Sequence, residues 1–262
     1  MPNQGSKAGT TGAAGTAAIF LTGGVARHSH VLVTDHAGHR LGHVNGRIVN
    51  EIPGARDVLL AFDQDWTNAP EPVFYVPANV AYTITLDGTP LTAPDTESIG
   101  IIGPSWDIAV NSIPMHLGEK DVLTVDPNAT RLTYRTDRAQ SPTIEAAVSD
   151  TQAEYAFVIG GVSSLPGSTI TLRIPAEGGN LVISSVGSSA VSSMDFQMTR
   201  STEQGAQHFH HAIPLVGGDT ADLRFGNWTS PDQGIPLVTT HAGRVSTRVL
   251  TQPVVTGPGS RS

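Results

Sequence analysis

Apolar and polar residues alternate with a period of two along most of this chain, and no other feature constrains its fold as strongly. In Val80–Leu86 and Ser168–Ile174 apolar side chains recur at every second position, so each segment has one apolar and one polar face, as a half-buried strand requires. The only segment with a helical cast, Thr151–Ala156, is too short to form a helix of consequence. Gly, Pro and Asn-Gly punctuate the alternating runs. With 28 Gly and 18 Pro in 262 residues, the chain has the turn content that many short strands need.

Strands are expected at 28–34, 40–44, 47–52, 58–62, 73–76, 82–86, 99–102, 108–113, 122–125 and 132–135. A second set follows at 144–148, 155–159, 169–174, 180–185, 193–199, 209–215, 222–225, 235–239 and 244–251. Asn45-Gly46 marks a tight hairpin, because both residues tolerate the positive φ of a type I′ turn. Short strands separated by turn signals indicate antiparallel sandwiches rather than crossover units. The composition changes at 138–142, and the length suits two domains. The expected fold is therefore all-β, two antiparallel β-sandwich domains in tandem: residues 25–140 and 141–252, with flexible tails at 1–24 and 253–262. No fixed-length repeat is visible.

The formal net charge is −8, Lys occurs only at Lys7 and Lys120, and no basic cluster stands out, which argues against nucleic acid as a partner. There is no Cys, which excludes disulfides and thiol chemistry. No run of 18 apolar residues is present, so no helical membrane span is expected. The apolar stretch Thr16–Leu21 is too short for the core of a secretion signal.

Histidine is the unusual resource. Five of the ten lie between His28 and His43, and three more form His208-Phe209-His210-His211. In strands, His28 and His30 share a face, as do His208 and His210, so either pair can hold zinc or nickel if a third ligand converges, with Asp35 or Asp219 as the candidate. Gly38 and Gly42 exclude a helix that would align His36, His39 and His43. Asp63 and Asp65 begin a run of alternating oxygen ligands that suits calcium, although the Gly and Glu of an EF-hand loop are missing. Gly217–Asp222 has a similar cast. Trp66, in the same polar loop as Asp63, is the candidate platform for a glycan, whereas Trp106 and Trp228 read as core. No nucleophile elbow, phosphate loop or H-E-x-x-H motif occurs, and no catalytic residues are assigned.

Val33–Gly42 followed by Asn50-Glu51-Ile52-Pro53-Gly54-Ala55 resembles a non-catalytic β-sandwich module of bacterial extracellular proteins, of the prepeptidase or bacterial Ig-like type. Tyr75–Gly88 is similar to a strand line of those modules, and Met194–Arg200 with Ile213–Trp228 is similar to their closing sheet. The chain departs from them at His36, where such modules tend to have Pro, and at His39, where they tend to have Arg. The resemblance implies an extracellular or cell-surface structural, adhesion or accessory module with a protein or glycan partner and no active site. The alternatives are a self-assembling surface, filament or shell protein, which would be a homo-oligomer, and a metal-dependent enzyme built on the histidines. No cofactor is required, but calcium or zinc fits the residues named.

Overall fold

The computed structural model describes residues 15–23, 27–59, 71–149, 152–174, 179–186 and 192–252. Twenty strands lie among them. The first seven are β1 (Thr16–Gly23), β2 (His30–Asp35), β3 (Arg40–Val44), β4 (Arg47–Asn50), β5 (Arg56–Val58), β6 (Val73–Pro77) and β7 (Tyr82–Asp87). Six more are β8 (Asp95–Ile102), β9 (Trp106–Met115), β10 (Lys120–Val125), β11 (Arg131–Arg135), β12 (Thr143–Ser149) and β13 (Glu154–Gly160). The last are β14 (Thr169–Arg173), β15 (Asn180–Val186), β16 (Ser192–Thr202), β17 (Gly205–Leu215), β18 (Thr220–Arg224), β19 (Ile235–His241) and β20 (Arg244–Leu250).

The strands form two antiparallel sheets. The nine-stranded sheet runs β17-β16-β13-β12-β9-β8-β1-β6-β5, and the eleven-stranded sheet runs β20-β19-β18-β15-β14-β11-β10-β7-β2-β3-β4. The all-β, antiparallel expectation holds. Across 138–142 the chain passes from one sheet to the other, and both sheets are hydrogen-bonded over that point, through β9–β12 and β11–β14. One correction concerns the N-terminal segment. Residues 16–23, expected within a flexible tail, form β1, an internal strand between β6 and β8 with Ala17 and Ile19 in the core. Residues 1–14 and 253–262 of the expected tails lie outside the described residues.

From β8 onward the hairpins alternate between sheets: β8–β9, β12–β13 and β16–β17 in one, β10–β11, β14–β15 and β18–β19 in the other. Their first strands start at Asp95, Thr143 and Ser192, and at Lys120, Thr169 and Thr220, a step of about 50 residues. This repeat is not visible as sequence identity; it resides in the turns. Gly118, Gly167 and Gly218, all at positive φ, each precede a residue whose N–H donates three residues back: Glu119 to His116, Ser168 to Leu165, Asp219 to Val216. The turn geometry requires Gly and tolerates Glu, Ser or Asp after it.

The inward faces form one apolar core. Phe157, Phe196, Phe209, Phe225 and Trp228 fill its C-terminal part, with ring centroids 5.1–6.4 Å apart. Trp106 and Trp228 are both buried, as expected. The terminal strand β20 is exposed on nearly its whole length, and Arg244, Ser246 and Arg248 pair with His241, Thr239 and Leu237. Arginines on the core side of a free edge hinder further strand addition.

The outer face of the larger sheet carries a row of hydroxyls. Thr34, Thr83, Thr124, Thr133, Thr171, Ser184, Thr220 and Thr240 are successive cross-strand partners over β2, β7, β10, β11, β14, β15, β18 and β19. Inside the same sheet a polar network fixes the passage between halves. Tyr134 Oη donates to Asp121, Gln140 Nε2 donates to Asp121 Oδ2 at 2.8 Å, and Gln140 exchanges backbone bonds with Ser164. Asp121 is fully buried, and burial raises its carboxyl above the usual range despite these donors.

Candidate metal centre

The site forms where β2 and β3 part. They pair as far as Leu32 and Gly42. At Gly42, with φ of +120°, the backbone comes so close to β2 that a Cβ would lie 2.2 Å from the Val31 carbonyl oxygen. Beyond it the β2–β3 pairing ends, while β3 continues along β4 on its other edge, and Val31 N–H is satisfied instead by Glu71 Oε1 at 2.7 Å. A carboxylate from just before β6, a strand of the opposite sheet, thus occupies the end of the ladder.

The other Glu71 oxygen, Oε2, collects imidazoles: His43 Nε2 at 3.1 Å, His30 Nδ1 at 3.4 Å and His28 Nδ1 at 3.6 Å. The His30 and His43 rings stack at 3.6 Å with 4° between planes, and His28 meets His30 edge-on at 6.2 Å. Glu71 is 2 % exposed at its side chain, while His28, His43 and His30 are 16, 18 and 33 % exposed. Burial pushes the Glu71 carboxyl up, but hydrogen bonds from His30, His43 and Val31 outweigh it and hold it below its usual range, hence ionised. His28 Nδ1 also lies 3.0 Å from the Ser29 carbonyl oxygen, a bond that would be exchanged on metal binding. Behind His28, Ser29 N–H donates to Glu97 Oε1 at 2.6 Å; Glu97 is fully buried, and burial raises its carboxyl.

Ligand atoms of His28, His30 and Glu71 all lie within 4.8 Å of one another, the one such set among the described residues. Ligands about 2.1 Å from a tetrahedral ion sit ~3.4 Å apart, which matches the His30 and His28 distances to Glu71 Oε2. Two imidazoles and one carboxylate suit zinc, nickel or copper; calcium prefers oxygen alone. His43 Nε2, 3.1 Å from the same Glu71 oxygen, is placed to orient the carboxylate. His30 and His43 also line an open groove of about 660 Å³ shared with Asn45, Thr85, Asp87 and Lys120, which gives an ion access to the site.

The expected pairing of His28 with His30 is thus realised, although His28 precedes the strand. The expected third ligand is corrected. Asp35 is occupied by its own turn, accepting from Ala37 and His39 N–H, and Asp219 caps Val216 N–H and pairs with His241. Asp222, the other acid of the 217–222 run, is held by Asn180 and Arg224. His208 and His210 share an exposed face of β17 but diverge in partners, His208 to Thr199 and His210 to Asp195, and no third ligand joins them among the described residues. Asp63, Asp65 and Trp66 lie outside the described residues. Glu71 and His43 were not singled out from the sequence as ligands. Glu71 offers only a lone acid between Pro70 and Pro72, and the role of His43 depends on where Gly42 sends the chain. No family model matches the chain, and no curated protein and no solved structure matches it.

Proposed function

We propose that this chain is a non-catalytic β-sandwich module of an extracellular or cell-surface protein, and that its His28–His30–Glu71 constellation binds one divalent transition metal of the zinc class. The observation that carries the metal reading is the convergence of imidazole nitrogens on one oxygen of a nearly buried carboxylate. The role follows from the position: the ligands come from the entry to one sheet and the entry to the other, so the ion cross-links the two layers. The structural or accessory role rests on the resemblance carried by Asn50–Ala55, on the continuous core and on a metal set placed as a cross-link. Self-assembly by strand addition at β20 is disfavoured by Arg244 and Arg248.

The test uses untagged, EDTA-treated protein titrated with zinc by calorimetry, with melting followed in parallel. One zinc per chain is expected. At a hundredfold excess over Kd, the folded state gains about 2.7 kcal/mol, or ~5 °C in Tm for a chain of this size. His28→Ala and His30→Ala should abolish the effect, and a His208→Ala/His210→Ala double variant should retain it. Zinc binding that survives loss of His28 and His30, or no binding by the wild type, refutes the proposal.

A further inference from the structure

The row of hydroxyls on the outer face of the larger sheet is flanked by arginines at its centre. Arg131 faces Arg173 directly across the β11–β14 ladder, and Arg135 lies on the same face of β11, one residue beyond Tyr134. Like charges directly opposed on a sheet weaken it. All three are exposed, and the residues between them, Leu132, Tyr134 and Leu172, point into the core. Arg131 reaches Asp126 at 2.9 Å, whereas among the described residues Arg135 and Arg173 have no acidic partner within ion-pair distance. In a chain of net charge −8, this is a local cationic patch kept at a cost in stability.

Between the arginines run Thr133 and Thr171, with Oγ1 atoms 3.5 Å apart, continued by Thr124 on one side and Ser184 on the other. Strands ~4.8 Å apart place a hydroxyl at each step, so the eight-strand row extends over about 34 Å. Short hydroxyls that donate and accept, bordered by guanidinium forks, suit a chain polymer carrying both hydroxyls and carboxylates. Among the described residues no aromatic side chain stands on this stretch to stack a base, which disfavours nucleic acid. We propose that this face binds an acidic polysaccharide laid across the strands, its carboxylates on Arg135, Arg173 and Arg131 and its hydroxyls on the threonine row. The site is distinct from the metal centre.

The experiment measures binding of the full chain, in EDTA and low salt, to sodium polygalacturonate, to its methyl ester and to single-stranded DNA of similar length. The wild type should bind polygalacturonate, and the uncharged ester at least about tenfold more weakly. Arg135→Ala/Arg173→Ala should lose about tenfold or more, with an unchanged circular dichroism spectrum. Thr133→Val/Thr171→Val, which keeps shape and strand preference, should weaken polygalacturonate several-fold and leave the slope of affinity against salt unchanged. Three results would overturn the proposal: no binding to polygalacturonate, binding indifferent to loss of both arginines, or DNA binding as tight as the glycan with no response to the threonine variant.

Discussion

Glu71→Ala should destabilise the fold even with no metal present, and the structure sets the magnitude. The substitution removes the acceptor of Val31 N–H, whose residue is fully buried at the point where β3 has left the ladder. An orphaned buried donor costs about 1–3 kcal/mol. It also removes the charged acceptor on which three imidazoles converge, and losing hydrogen bonds to a charged group brings the cost to ~3–5 kcal/mol in all. At about 2 °C per kcal/mol for this chain length, Tm should fall by ~6–10 °C. Glu71→Gln keeps an oxygen for Val31 while losing the charge, and should cost only ~1–2 kcal/mol. Equilibrium urea unfolding of the three proteins in EDTA is the assay. An Ala variant within ~1 kcal/mol of wild type, or Ala and Gln variants of equal stability, would refute the view that this carboxylate completes the ladder.

Two further outcomes follow from other parts of the sheet. Burial raises the Asp121 carboxyl, so the folded state binds its proton more tightly than the unfolded chain does, and the stability this confers is complete at low pH and lost as pH rises from 3.8 through the raised value. Measured against Asp121→Asn, wild type should therefore lose relative stability across that window and level off above it; a difference that is flat with pH, or that grows in favour of wild type, contradicts this. Gly42→Ala should destabilise by about 2 kcal/mol or more, since the new Cβ would lie 2.2 Å from Val31 carbonyl oxygen on a backbone at positive φ, and the separation of His30 from His43 should change with it. Near-wild-type melting of that variant would show that the close approach of β3 to β2 at Val31 is not required.

What was legible in the sequence was local. A period of two decides which face each side chain takes, so Val80–Leu86 and Ser168–Ile174 read as strands at sight. Asn45 and Gly46 adopt the positive φ values that their hairpin requires. His28 and His30 are two residues apart, and their proximity follows from that spacing alone. The repeat is not legible in the sequence because it is carried by a glycine and a hydrogen bond rather than by shared side chains. What only the tertiary structure decided was register and convergence. Alternation does not say which strands neighbour one another, so neither the continuity of both sheets across 138–142 nor the alignment of hydroxyls from eight strands could be read in advance. The carboxylate of the candidate metal centre lies 41 residues beyond His30 in the chain and arrives there because β6, in the opposite sheet, starts beside the place where the β2–β3 pairing ends at Gly42. A contact of that kind depends on long-range packing, which no short-range spacing encodes.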